Sequence, residues 1–250
     1  MQEALLLVLI IFPATVVSAT TSGLAVSLPG CPNKCGNVSI PYPFGIGDGC
    51  AATSLNPYFT VICDDSFQPP RPLIGEPSTA IEVIEISLQH GEMRVYSPVS
   101  YNCFTSNTTM SDNFTAGFDL EDTPFLLSTT CNRFTVIGCN TLGIIGGSMH
   151  SYSDVYVAGC YSYCQGINST SDGAPCAGMG CCETTISPNV TEFAAILFNQ
   201  SSVWNFNPCF YAMLVEVGWY SFRRQDLVGH LCNCSKGYEG NPYLPKGCQG

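Results

Sequence analysis

Ile81-Glu82-Val83-Ile84-Glu85-Ile86-Ser87-Leu88, then Gln89-His90-Gly91-Glu92, then Met93-Arg94-Val95-Tyr96 is the stretch that decides the fold. Apolar residues alternate with polar ones in its first part, the period of two that turns one face of a strand to a core and the other to water. The alternation slips one place at Val83/Ile84, which predicts a β-bulge. Residues 89–92 read as a hairpin loop leading into a second strand over 93–96. Outward from this hairpin, strands are predicted over 59–63, 133–139, 155–160, 193–198 and 212–217. The apolar runs are short and the chain holds 24 Gly and 17 Pro, a composition of strands and loops rather than long helices. The fold class is therefore all-β and disulfide-rich, with short strands and long loops.

The compartment follows from the N-terminus and the cysteines. From Ala4 to Val17 there is no charge, and Val17-Ser18-Ala19 offers small residues for cleavage, so residues 1–19 read as a signal peptide. No later apolar run is long enough to cross a bilayer. The chain has 16 cysteines, all of them beyond that segment, and in an oxidising compartment an even set predicts eight disulfides. Their spacing lacks paired zinc knuckles, and His90, His150 and His230 stand apart from the cysteine pairs, so no metal is expected. Seven Asn-x-Ser/Thr sequons, at Asn37, Asn107, Asn113, Asn168, Asn189, Asn199 and Asn233, predict glycans. Only 11% of residues are charged, and sugars supply the solubility that a usual level of about 25% would otherwise give. With 19 acidic residues against 8 basic ones and a formal charge of −11, nucleic acid is excluded as a partner, since it is bound through Lys and Arg.

Cysteine spacing divides the remainder into a first module over 31–100, a second over 101–231 and a short segment over 232–250. Cys31, Cys35, Cys50 and Cys63 fall in the first. Cys103, Cys131, Cys139, Cys160, Cys164, Cys176, Cys181, Cys182 and Cys209 fall in the second, and Cys232, Cys234 and Cys248 in the third. Nine is odd, so one bridge of the second module must leave it.

Cys31-Pro32-Asn33-Lys34-Cys35-Gly36-Asn37-Val38-Ser39-Ile40-Pro41-Tyr42-Pro43-Phe44-Gly45, followed by Cys50 and Phe59-Thr60-Val61-Ile62-Cys63, closely resembles the galacturonan-binding extracellular module of plant wall-associated receptor kinases. The likeness continues through Gly138-Cys139-Asn140, Gly159-Cys160-Tyr161-Ser162-Tyr163-Cys164, Gly178-Met179-Gly180-Cys181-Cys182 and Pro208-Cys209-Phe210-Tyr211-Ala212. It ends in Cys232-Asn233-Cys234-Ser235-Lys236-Gly237-Tyr238, which resembles the start of that family's EGF-like region. The resemblance implies a non-catalytic ectodomain that contacts pectin. In full-length relatives further EGF-like repeats, a transmembrane helix and a Ser/Thr kinase follow, whereas residues 1–250 contain no kinase signature. The expected location is secreted and in the cell wall, or at the plasma membrane if the gene continues into a membrane helix.

A galacturonate site needs cations or amide donors for carboxylates and flat rings for the sugar faces. Asn33, Lys34, Tyr42 and Phe44 in the signature segment, with Arg94 in the hairpin, are the polysaccharide-binding candidates, and Arg71, Arg133 and Arg223-Arg224 are further cations. Against these stands the bland reading that Cys31 to Phe44 is a proline-stiffened ribbon whose aromatics plug the core. No cofactor is expected, except that calcium can bridge protein and pectate carboxylates, Asp64-Asp65 and Asp119-Leu120-Glu121-Asp122 being the densest acidic stretches. Gly146-Gly147-Ser148-Met149-His150 lacks the elbow of a hydrolase serine and its glycines read as a turn, so no enzyme is expected. The competing class is a protein-interaction ectodomain, a secreted decoy or co-receptor that binds another wall protein or receptor. A sugar site needs clustered basic and aromatic side chains, whereas a protein interface needs a contiguous apolar patch.

Overall fold

The hairpin expected at 81–96 is present. Strands Ile81–Ser87 and Glu92–Ser97 run antiparallel across a turn at 88–91, and their register shifts between Val83 and Glu85, where the slipped alternation placed a bulge. The computed structural model describes residues 5–11, 26–76, 80–149, 152–173, 176–188, 190, 192–228, 239–240 and 248–249. Among these, the helices are 3-10 turns of three or four residues, so the fold is all-β.

Numbered along the chain, the first strands are β1 (Leu5–Ile11), β2 (Lys34–Cys35), β3 (Val38–Ser39), β4 (Ile62–Asp64), β5 (Arg71–Ile74), β6 (Ile81–Ser87) and β7 (Glu92–Ser97). Next come β8 (Val99–Phe104), β9 (Met110–Phe114), β10 (Ala116–Asp119), β11 (Phe125–Leu127), β12 (Asn132–Ile137) and β13 (Thr141–Met149). The last are β14 (Tyr152–Ser162), β15 (Cys181–Thr184), β16 (Glu192–Asn199) and β17 (Cys209–Glu216), followed by a small pair, β18 (Glu239–Gly240) with β19 (Cys248–Gln249). A six-stranded sheet has the order β11-β1-β7-β6-β5-β4. Its strand β1 falls within the segment read as a signal peptide and lies antiparallel to β7 on one side and β11 on the other.

Two more large sheets, β15-β12-β17-β8-β9 and β10-β16-β13-β14, and the small pairs β2-β3 and β18-β19 form the rest. The five-stranded one is a middle layer whose alternate residues enter different cores. Phe134, Val136, Ala212 and Leu214 join Ile145, Phe193 and Ala195 of the four-stranded sheet. Ile137, Met213 and Val215 point the other way and join Val203, Phe222 and Leu227. Both faces of β17 are thus covered, which is why its sequence lacks a charged residue from Cys209 to Val215. The first cluster runs on through Met93 and Val95 to Phe44, Ile40 and Phe59, so the segments 31–100 and 101–231 share one core.

Six disulfides join the described residues. Cys31–Cys50 and Cys35–Cys63 frame the first module, and Cys103–Cys209, Cys139–Cys164, Cys160–Cys182 and Cys176–Cys181 lie in the second. The adjacent Cys181 and Cys182 alternate across β15, so their bridges leave on opposite faces, one sulfur in each core. Among the described residues Cys131 has no disulfide, and its thiol donates to Glu92 at 3.3 Å. Cys232 and Cys234 lie outside the described residues.

Three local readings change. Gly146 and Gly147 are not a turn but the interior of β13, and a Cβ on Gly147 would sit 1.6 Å from the carbonyl oxygen of Glu192, so glycine is there for close strand approach. The strand expected over 59–63 starts at Ile62, because residues 57–59 form a 3-10 turn capped by Asn56. The strand expected over 212–217 begins earlier, at Cys209, and ends at Glu216; the chain then turns at Gly218, whose φ of +81° suits glycine.

Candidate functional site

The signature segment folds as a ribbon pinned at both ends by disulfides. β2 and β3 form a tight pair, with Lys34 opposite Ser39 and Cys35 opposite Val38, and the bond from Ile40 N to Asn33 O (2.9 Å) extends it. The turn needs Gly36, because φ is +54° and a Cβ would overlap the Pro70 carbonyl at 2.2 Å. Beyond it the chain alternates: Ile40 and Phe44 are buried, while Tyr42 between them is 44% exposed. Asn33 and Lys34 are exposed on the other side of the Ile40–Asn33 tie.

Three of the five binding candidates therefore lie on the surface of one ribbon. Phe44 does not: it is fully buried, its ring edge-on to Phe59 at 5.2 Å and stacked with Phe125 at 6.3 Å, so it is the core plug of the bland reading and cannot meet a sugar. Arg94 also takes a structural place. Its Nε and Nη2 donate to Glu216 at 3.0 and 2.8 Å and its Nη1 to Glu85 at 3.2 Å. Partial burial works against the guanidinium's charge, but the two carboxylates outweigh it and raise its pKa. The arginine ties β6 and β7 to β17, and its charge is neutralised twice over.

Around this clasp is a cleft of about 280 Å³, lined by Glu85, Ser87, His90, Glu92, Arg94 and Glu216. Three carboxylates against one arginine give it a negative lining, unsuited to a polyuronate. Ser87 Oγ and His90 Nδ1 are hydrogen-bonded at 2.8 Å across the hairpin turn.

Arg71 is better placed than Arg94. The β2–β3 turn rests on the Pro69–Pro70 backbone, which leads directly into Arg71 at the start of β5. The guanidinium lies over the Phe67 ring at 3.9 Å and meets Glu82 at 3.2 Å, its side chain half-exposed. Burial raises the Glu82 carboxyl above its ordinary value, opposed by the Arg71 charge. Phe67 went unnoticed in the sequence, although an aromatic four residues before an arginine across a Pro-Pro pair is a readable hint of such stacking.

Arg133 is spent on backbone carbonyls of Thr129 and Asn132, and Arg224 on Thr170. Trp204 and Trp219 are each about one-third exposed, and Tyr220 donates to Asp226 at 2.6 Å. Asp64 and Asp119 cap their own turns through Ser66 N and Glu121 N, and no group of three or more His, Cys, Asp or Glu among the described residues is arranged to hold a metal ion. Of the sequon asparagines, Asn37, Asn107, Asn113 and Asn168 are exposed. Asn199 differs: the residue is half-buried and its Nδ2 is buried. Asn189 and Asn233 lie outside the described residues.

Residues 31–97 match a family described as wall-associated receptor kinase galacturonan-binding. The chain is 30% identical over 88% of its length to wall-associated receptor kinase 2 of Arabidopsis thaliana, covering 34% of that protein. It is 28% identical over 99% of its length to wall-associated receptor kinases 1 and 3 of the same plant, covering 38% and 39% of them. The chain thus spans between a third and two-fifths of the length of these relatives. No solved structure matches it.

Proposed function

We propose that this chain, a relative of the wall-associated receptor kinases that carries their galacturonan-binding module in residues 31–97, binds the galacturonan of pectin at the outer surface of the β2–β3 ribbon. The observation that carries the reading is the placement of Asn33, Lys34 and Tyr42 on one disulfide-framed ribbon, all exposed, with Arg71 beside its turn. Lys34 supplies a point charge for a carboxylate, Asn33 an amide donor and Tyr42 a ring face for the pyranose. Nothing in this set activates water or breaks a glycosidic bond, so the role is binding without turnover. The location that goes with it is extracellular, in the wall, after cleavage of residues 1–19.

The overall charge of −11 opposes a polyanion at long range. Binding is therefore short-range, and its strength falls as salt screens the Lys34 contact. The glycan expected on exposed Asn37, in the turn of the same ribbon, limits the approach of a long polymer from that side.

The test is titration of the secreted, disulfide-intact protein with demethylated oligogalacturonides, neutral oligosaccharides serving as controls. Saturable binding to the acidic chain is expected, weakened about tenfold in Lys34→Ala, the worth of one charged contact, and insensitive to chelator. Loss of binding with chelator would transfer the role to calcium. Equal binding by the Lys34→Ala protein would remove the ribbon as the site.

A further inference from the structure

Among the described residues nothing covers one face of the four-stranded sheet, and its residue pattern is that of an interface with itself. One face of β13, β14 and β16 carries Ile145, Ala195 and their neighbours into the core. The other face is turned to solvent and is apolar as well. Pairing sets its residues in three cross-strand rows: Phe198–Leu142–Tyr161, then Ile196–Ile144–Gly159, then Ala194–Gly146–Val157. Gly117 of β10 continues the third row beyond Ala194. No charged side chain stands in these rows. Phe198 is 55% exposed and Tyr161 51%, values unusual for large apolar side chains grouped on one monomer surface. Among the described residues no exposed sequon asparagine stands in these rows, and Asn199, next to Phe198, faces the opposite side with its Nδ2 buried.

The first row is a ridge and the third, at Ala194 and Gly146, is low ground that rises again at Val157, with the isoleucine row between them. We propose that this face pairs with the same face of a second copy of the chain, about a two-fold axis that runs parallel to the sheet, midway between the two copies, above the row Ile196–Ile144–Gly159. Such an axis keeps each strand's lateral position and reverses direction along it. Phe198 then lies over Ala194 of the other copy and Leu142 over Gly146, large over small in both directions, while Tyr161 meets Val157 and the isoleucines meet their own equivalents. Self-complementarity of this kind is what an isologous contact requires. Two sheet faces pack about 10 Å apart, a gap these side chains fill.

With strands about 4.8 Å apart and rows about 7 Å apart, the patch with its side chains covers on the order of 400 Å² per copy. That is about half of the roughly 800 Å² each partner gives to a standard interface, which sets the pairing among weak, transient contacts. Both copies are acidic, so they repel at long range, and added salt tightens the contact. A sugar held by Lys34 would respond to salt in the opposite sense.

The experiment is sedimentation velocity of the secreted, glycosylated protein across a micromolar concentration series, at low and high salt. The wild type is expected to approach twice the monomer mass and to do so at lower concentration in high salt. Phe198→Glu, a change at an exposed position, is expected to move the midpoint upward at least tenfold, and a glycan wedge made by Leu142→Asn with Ile144→Thr is expected to abolish pairing. Leu88→Ser, at an exposed apolar residue on the hairpin turn, is the control and should leave the midpoint unchanged. A wild type that stays monomeric throughout overturns the proposal, as does a folded Phe198→Glu protein that still pairs. So does a monomer whose open face is occupied by an oligosaccharide or by a different protein.

Discussion

Residues 31–74 and residues 99–228 hold their shape by different means. The first stretch has strands of two to four residues, little sheet of its own, and two disulfides around a single aromatic plug, Phe44 between Phe59 and Phe125. The second has two facing sheets and a core on either side of the middle one. What each leaves on its surface differs accordingly. The ribbon shows isolated polar and aromatic side chains set by covalent framing, suited to a small ligand. The four-stranded sheet shows a flat apolar area set by strand register, suited to another surface.

The comparison is sharpened most by measuring how much the second region's own disulfides add to its two cores. Cys103→Ser with Cys209→Ser opens a loop of 106 residues, and on loop entropy alone this should cost about 4 to 5 kcal/mol, read by chemical denaturation. A loss under about 1 kcal/mol would mean that the two cores hold the region unaided. Phe44→Ala should cost about 3 to 4 kcal/mol by the same measurement, because the fully buried ring packs against Phe59 and Phe125 and its loss leaves a cavity. Phe44→Leu should recover much of that, since the site asks for apolar volume and not for a ring that touches sugar. Arg94→Met tests the seam between the regions. It leaves Glu216 and Glu85 unpaired at a half-exposed place, and about 1 kcal/mol is expected, smaller in high salt.

The smallest effect concerns acid. Burial raises the Glu82 carboxyl above 4.5, against the pull of Arg71. A raised carboxyl holds its proton more firmly in the folded chain, so the stability it lends is full below pH 4.5 and lost as pH climbs through the folded value. Melting curves of Glu82→Gln and wild type should therefore converge below pH 4.5 and separate just above it, with the variant no longer falling.

The hairpin at 81–96 and its bulge were legible because one covered face imprints a period of two on the sequence. The signature ribbon was legible as a framed segment but not in its orientation. Pro41 and Pro43 interleave with Ile40, Tyr42 and Phe44, and nothing in that string tells which aromatic is plug and which is surface. The Arg94 clasp was hidden for another reason: its main partner is 122 residues away, and contacts at that range leave no local mark. β13 was missed because its glycines, placed there by close strands, have the composition of a turn. The open face of the four-stranded sheet escaped because its strands are apolar on both sides, which masks the alternation that would have named the outside.

The Cys103–Cys209 bridge also bears on what happens when the chain is pulled. β10, β13, β14 and β16 all lie between those two cysteines, inside the covalent loop. Tension applied at the two ends of the chain would pass through the sulfur–sulfur bond and bypass the loop altogether. Residues 64–102, which no disulfide among the described residues encloses, would lengthen under load, while the sheet that carries the open face would feel almost none of it. The hairpin at 81–96 is then the part that can yield, and the framed ribbon and the flat face are both mechanically sheltered.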